Sequence, residues 1–117
     1  MKTTKSRIEK DSLGEIEIPY NAYYGVQTQR AVLNFPVSGW KAHPVMVDAY
    51  VYIKKAAAIT NAELGLLNKK IAGAIVKAAD EVLSGKHREH FVVDVYQAGA
   101  GTSHNMNSNE VLANRGI

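Results

Sequence analysis

The sequence contains no cysteine among its 117 residues. Without thiols it can form no disulfide, thiolate zinc site, iron–sulfur cluster or cysteine nucleophile, and their absence favours a reducing, cytoplasmic compartment. No stretch reaches the roughly 20 apolar residues of a membrane span, so we expect no membrane partner. The basic segment 1–7 precedes no apolar run, so it does not predict a secretory signal.

The sequence also has only a small excess of positive charge, since 14 basic and 11 acidic residues leave a net charge of +3. The basic residues occur as isolated pairs, such as Lys54-Lys55 and Lys69-Lys70, and not as a stripe. Nucleic-acid-binding domains cluster basic residues on one face and interleave aromatic residues there. We therefore expect no nucleic-acid partner. The length allows one domain, which can bury about two-thirds of its surface without disulfides or metal.

The first third of the sequence predicts a hairpin followed by an ordered segment. Ile16 and Ile18 alternate with glutamates, which is a strand pattern, and Gly14 supplies a turn within residues 7–19. Residues 21–39 predict an ordered, partly helical surface segment. Four aromatic residues are expected in a local core: Tyr23, Tyr24, Phe35 and Trp40.

The middle of the sequence predicts two antiparallel helices. The first begins at Pro44 and runs to about Leu64, and the second follows an Asn68 cap and stops at Gly85. The buried face of the first is expected to hold Val47, Val51, Ala58 and Ala62, widened by Ala49, Ile53, Ala56 and Thr60. That of the second is expected to hold Ile71, Ile75, Ala78, Ala79 and Val82.

The last quarter combines a turn of small residues, 97–101, with a helix that begins at Thr102 or Ser103. Backbone amides and two hydroxyls at a helix N-terminus favour an anion such as a carboxylate or phosphate. The alternative is an ordinary helix cap. Because His104 stands where a dinucleotide fingerprint needs glycine, and no P-loop ending is present, no nucleotide is predicted. Helix propensity does not explain why four asparagines crowd this element: Asn105, Asn107, Asn109 and Asn114.

Other polar residues give weaker signals. His87 and His90, with a glutamate between them, could begin a metal site, but the ligand set is incomplete and the alternative is a solvated turn. We therefore expect neither metal nor cofactor. Asp94 and Glu110 have no recognisable partner in the sequence, which supplies no nucleophile–base pair. The sequence stops at Gly116-Ile117 without a polar tail or a terminating loop, so we expect residues 1–117 to be one domain of a longer protein.

Two stretches resemble the aspartase/fumarase superfamily, and its aspartase branch most closely. They are residues 7–35 and residues 91–115, and the second contains Gly99-Ala100-Gly101-Thr102-Ser103. Fumarases usually show a Gly-Ser-Gly-Thr form of this turn. The resemblance implies a mainly α fold with a short N-terminal β-hairpin, forming the N-terminal domain of a homotetrameric lyase whose sites are shared between subunits.

The resemblance also implies a reaction, the reversible conversion of L-aspartate to fumarate and ammonia by proton abstraction and anti elimination. No organic cofactor is implied. Fumarate hydratase, another lyase of the superfamily, or a free-standing small-anion-binding module remain as alternatives. The catalytic serine base is expected beyond Ile117, so the chain alone is predicted to be inactive.

The resemblance also implies which residues form the site. Thr102 is expected to contact the carboxylate or the amino end of the substrate, Ser103 to assist, and Gly101 to let the backbone approach closely. Arg30 is expected either as a cation near the substrate or as part of a structural ion pair. Two asparagines are expected to support the site from behind: Asn105 and Asn107.

Overall fold

The computed structural model describes residues 5–117. The predicted mainly α fold with an N-terminal hairpin is confirmed. None of the helices in this range is long and apolar enough to cross a membrane. The prediction that residues 1–7 form no secretory signal falls partly on residues 1–4, which lie outside the described residues. The elements are β1 (Ser6–Asp11), β2 (Gly14–Pro19), α1 (Val26–Asn34), α2 (Pro44–Glu63), α3 (Lys69–Leu83), a 3-10 turn (Arg88–His90) and α4 (Thr102–Gly116).

Strands β1 and β2 form the predicted antiparallel hairpin, in which Ser6 pairs with Pro19 and Asp11 with Gly14. Gly14 has a φ of 114°, a backbone conformation that favours glycine. The Asp11 side chain accepts a hydrogen bond from the amide of Leu13 across the turn, at 2.9 Å. Ile18 is fully buried and anchors the hairpin to the rest of the molecule.

Helices α2 and α3 form the predicted antiparallel pair. Pro44 occupies the first turn of α2, and His43 accepts a hydrogen bond from the amide of Val45 at 3.1 Å. Asn68 caps α3 by accepting from two amides of its first turn. Both helix starts were therefore predicted correctly, because their signals lie within a few residues of one another.

The predicted buried faces of α2 and α3 are partly wrong. Ile71, placed in the stripe of α3, is 54% exposed. The α2 residues expected to widen its buried face are also exposed: Ala49, Ile53, Ala56 and Thr60. The physical reason is that α2 packs on α3 and α4, and these neighbours cover the stripe that contains Val47, Val51 and Ala58.

The core is shared by nearly all elements, and α4 contacts each of the other three helices. The segment 21–39 is partly helical as predicted, but it is not confined to the surface, because Thr28 and Ala31 of α1 are buried. Tyr24 is buried as expected, whereas Trp40 is 67% exposed and its predicted core position is wrong. The main core cluster consists of Ile18, Ala22, Tyr24, Val47, Val51, Ala78, Ala79, Val82, Phe91, Val111 and Leu112.

Candidate functional site

The turn of small residues leads directly into α4. Gly101 has a φ of 78°, and its amide donates to the carbonyl oxygen of Ala98 at 2.9 Å. A Cβ added at Gly101 would lie 3.2 Å from the hydroxyl oxygen of Tyr50 on α2. Glycine is therefore favoured here by the backbone conformation, and a Cβ would also make a tight contact with Tyr50.

The first turn of α4 leaves two amides open. The amide of Asn105 donates to the carbonyl oxygen of Gly101, and that of His104 donates to the side-chain oxygen of Gln97. Among residues 5–117, the amides of Thr102 and Ser103 meet no acceptor. Two amides and two hydroxyls at a helix N-terminus form a suitable site for a carboxylate.

Ser103 and Arg30 line one cavity of about 550 Å³ between the hairpin, α1 and the start of α4. The Arg30 guanidinium forms two hydrogen bonds with the Asp11 carboxylate, at 2.7 and 2.9 Å, and donates to the carbonyl oxygen of Gly14 at 3.0 Å. These bonds from Arg30 hold the pKa of Asp11 below its usual value. This geometry favours the ion-pair interpretation of Arg30, although its side chain still borders the cavity.

The two asparagines predicted to support the site occupy different environments. Asn105 accepts a hydrogen bond from the Lys54 ammonium of α2. Asn107 is fully buried, accepts from the amide of Val92 at 2.9 Å and donates to the carbonyl oxygen of His90 at 2.9 Å. Asn107 therefore connects α4 to the segment that leads toward the turn.

The sequence shows no recognisable partner for Asp94, but the structure supplies several. Its carboxylate accepts hydrogen bonds from the amides of Ser38, Gly39 and Tyr96, each at 2.8 Å, and from the Ser38 hydroxyl. Burial alone would raise the pKa of Asp94, but these hydrogen bonds outweigh it and lower the pKa to about 2. Two of the partners lie more than 50 positions away, so no local pattern could reveal them.

The sequence shows no recognisable partner for Glu110 either, and its partners in the structure are also distant along the chain. Its carboxylate accepts from the amide of Thr28 at 2.7 Å, from the Thr28 hydroxyl, and from the amide of Gln27 at 3.2 Å. It thereby caps α1, where Gly25 provides no side-chain cap. A Cβ at Gly25 would lie 2.3 Å from a Glu110 carboxylate oxygen.

Arg7 is a structural residue that sequence reasoning missed. Its guanidinium donates to the carbonyl oxygens of Pro19, Ala22 and Tyr24, at 2.7 to 3.1 Å. It thereby shapes the chain between β2 and α1. The sequence offers no local signal for these contacts, because the accepting carbonyl groups lie 12 to 17 positions from Arg7.

The imidazoles of His87 and His90 do not belong to a solvated turn, because both are half-buried. His87 contacts Glu81 at 2.8 Å, and His90 accepts a hydrogen bond from the amide of Tyr23 at 3.2 Å. Burial is the main cause that lowers the pKa of His90. Within residues 5–117, no group of three histidine or acidic side chains is placed to hold a metal ion.

The comparison with known families agrees with this fold. A family model described as "Lyase" matches residues 14–116, so the chain is a member of a lyase family. Proteins similar to this chain include both aspartate ammonia-lyases and fumarases. The chain thus belongs to the aspartase/fumarase superfamily, which confirms the resemblance seen in its sequence.

Two curated relatives show how similar the two branches are. The chain is 57% identical over 114 residues to an aspartate ammonia-lyase of a Bacillus species, covering 97% of this chain and 24% of the relative. It is 56% identical over 109 residues to a class II fumarate hydratase of Halobacterium salinarum, covering 93% and 23%. The chain therefore spans about a quarter of the length of these relatives.

Solved structures show the same relationship. A fumarate lyase:delta crystallin from Brucella melitensis superimposes with a TM-score of 0.92 at 51% identity, covering 96% of this chain and 26% of that one. A class II fumarase from Schistosoma mansoni gives a TM-score of 0.93 at 42% identity, covering 96% and 24%. At these identities, the similarity extends to the backbone of the whole described region.

Proposed function

We propose that residues 1–117 form the N-terminal domain of an aspartate ammonia-lyase, which reversibly converts L-aspartate to fumarate and ammonia. The observation that carries the proposal is the pair of unpartnered amides of Thr102 and Ser103 at the start of α4 within the described residues. The aspartase-like form of the turn, with Ala100, supports the choice of substrate. We place the intact enzyme in the cytoplasm, as a homotetramer whose subunits share sites.

The chemistry follows from where negative charge develops. Removing the C3 proton of aspartate converts the adjacent carboxylate to an aci-carboxylate, which carries more negative charge than in the ground state. Hydrogen-bond donors fixed at that carboxylate therefore stabilise the transition state more than the bound substrate. Thr102 and Ser103 supply these donors, and Gly101 lets the backbone reach the substrate. Ammonia then leaves C2 on the opposite face, giving fumarate.

The base that takes the C3 proton is assigned to the part of the protein beyond Ile117. The residues that hold the second carboxylate are assigned there too. The chain alone is therefore expected to bind dicarboxylates weakly and to show no turnover. No organic cofactor is proposed, because hydrogen-bond donors of the protein can stabilise the negative charge that develops on the carboxylate.

Fumarate hydratase is the second candidate, and the 56% identity to such an enzyme favours it almost equally. Both reactions need a carboxylate held at the same place, and they differ in the group that leaves C2. A free-standing module that binds small carboxylates through α4 is the third. The residues described here suit all three, so substrate turnover must separate them.

The test is to express the complete reading frame that encodes this chain and to follow fumarate formation from L-aspartate, with L-malate in parallel. We expect turnover of L-aspartate, and a Thr102→Val variant should lower kcat/KM about 100-fold. Thr60→Val, an exposed position on α2, is the matched control and should leave it unchanged. Turnover of L-malate alone would assign the protein as a fumarate hydratase. Dicarboxylate binding without turnover would favour the module.

A further inference from the structure

Gln97 connects the turn to the first turn of α4. Its side-chain oxygen accepts a hydrogen bond from the amide of His104 at 2.7 Å. Its side-chain nitrogen lies 3.5 Å from the carbonyl oxygen of Asp94, as a long hydrogen bond. Gln97 therefore caps α4 from a position five residues before the helix begins, while Gly101, the residue next to the helix, has no side chain to do so.

The backbone on either side of Gln97 is held in place. Tyr96, its neighbour, donates its amide to the Asp94 carboxylate, which also holds the amides of Ser38 and Gly39. On the other side, the amide of Gly101 is bonded to Ala98. The side chain of Gln97 therefore extends from a fixed point, and its oxygen reaches the third amide of α4.

The choice of amide matters for anion binding. The cap removes the His104 amide and leaves those of Thr102 and Ser103 as the open donors of the first turn. The glutamine side chain carries no charge. A carboxylate in its place would also accept from His104, but it would oppose the positive field of the helix N-terminus on which an anionic ligand depends.

We propose that Gln97 is a positioning residue for the substrate carboxylate, because it caps α4 with a neutral acceptor and so fixes which amides remain open. This inference rests on the proposed function, and specifies how that site is shaped. Gln97 does not touch the reacting atoms. It acts through the amides of Thr102 and Ser103.

Two substitutions separate positioning from simple stabilisation. In the full-length protein, Gln97→Glu retains the acceptor, so the melting temperature should equal or exceed that of the wild type. Its negative charge should nevertheless raise KM for L-aspartate about tenfold and also lower kcat, because it opposes the bound carboxylate and, more strongly, the aci-carboxylate of the transition state. Added salt should reduce both effects. Gln97→Leu removes the acceptor and should lower both the melting temperature and kcat/KM, the latter about tenfold.

Amide hydrogen exchange provides a direct structural readout. The amide of His104 should be protected in the wild type and in Gln97→Glu, and should exchange rapidly in Gln97→Leu. The matched control is Asn61→Asp, which makes the same charge change at an exposed position near the end of α2. It should leave KM unchanged.

The outcomes distinguish the two proposals. If the wild type turns over L-aspartate but Gln97→Glu keeps the wild-type KM, the role of Gln97 is structural and the inference is overturned while the proposed function stands. If the wild type neither turns over L-aspartate nor binds succinate by calorimetry, the proposed function fails and the inference falls with it. Higher KM together with unchanged or higher stability in Gln97→Glu supports both.

Discussion

The α2–α3 pair and α4 are held in place by different kinds of contact. Between α2 and α3, the buried residues are small and apolar, chiefly alanine and valine. Around α4, the fully buried residues include Asn107 and Ser108, and Glu110 caps α1 across the interface. Apolar burial is non-directional, whereas hydrogen bonds constrain distances and angles.

This difference coincides with the position of the candidate site. The turn and the start of α4 lie where polar side chains fix the backbone, and Asp94, Gln97 and Asn107 each bond to main-chain groups of another segment. The α2–α3 pair supplies the surface against which this part packs. We infer that the polar contacts around α4 set the geometry of the site, whereas the apolar contacts between α2 and α3 supply stability.

The largest expected effect comes from removing the central polar contact of α4. Asn107→Leu leaves the amide of Val92 and the carbonyl oxygen of His90 without partners in the interior, which should lower the free energy of unfolding by about 3 kcal/mol. Urea denaturation measures this. Ala113→Leu, at an exposed position of the same helix, is the control. A loss below about 1 kcal/mol would show that the polar contacts do not fix α4.

A smaller effect is expected where α4 caps α1. In Gly25→Ala, the new Cβ would displace the Glu110 carboxylate from the amides of Gln27 and Thr28, at a cost of about 2 kcal/mol in unfolding free energy. The same substitution in a Glu110→Ala background should cost much less, because the cap is already absent. Equal costs in both backgrounds would show that the displaced carboxylate is not the cause.

The contribution of Asp94 should depend on pH. Because the pKa of Asp94 is about 2 in the folded chain, against an ordinary 3.8, its stabilisation is complete above pH 3.8 and is lost as pH falls through about 2. Unfolding free energies of wild type and Asp94→Asn should therefore differ most above pH 3.8 and converge at lower pH. Parallel curves across this range would contradict the assignment. Asp80→Asn, at an exposed carboxylate, serves as the control.

The smallest effect is expected for a charged contact between α2 and α3. The Lys55 ammonium lies 2.6 Å from a carboxylate oxygen of Asp80, whose side chain is 54% exposed. Lys55→Gln should change the free energy of unfolding by less than about 0.5 kcal/mol, because water screens such pairs. A loss above about 1 kcal/mol in the free energy of unfolding, measured by urea denaturation, would mean that this ion pair also stabilises the packing of α2 on α3.

The features that could be predicted from the sequence are those that depend on neighbouring residues. The starts of α2, α3 and α4 were predicted correctly, since Pro44, Asn68 and the turn before Thr102 are local signals. The exposed side of α2 was predicted wrongly, because periodicity identifies apolar residues without showing which neighbours cover them. The distant partners of Asp94 and Glu110 were missed, since they lie more than 50 residues away in the sequence.

The candidate site was predicted in part. Thr102, Ser103 and Gly101 were identified from the turn and from the family resemblance, and the structure places them at the start of α4. Arg30 was left between two interpretations, and its pair with Asp11 favours one of them. The sequence predicts Gln97 only as part of a turn, because nothing in it shows that the side chain reaches the amide of His104.

The sequence by itself determined the hairpin, the positions where α2, α3 and α4 begin and the superfamily, because turn residues, helix caps and motifs act over short distances along the chain. Only the tertiary structure decided which apolar faces are covered, which carboxylates cap distant segments and which amides of α4 remain open. These depend on contacts between residues far apart in sequence, and such contacts exist only after the chain has folded.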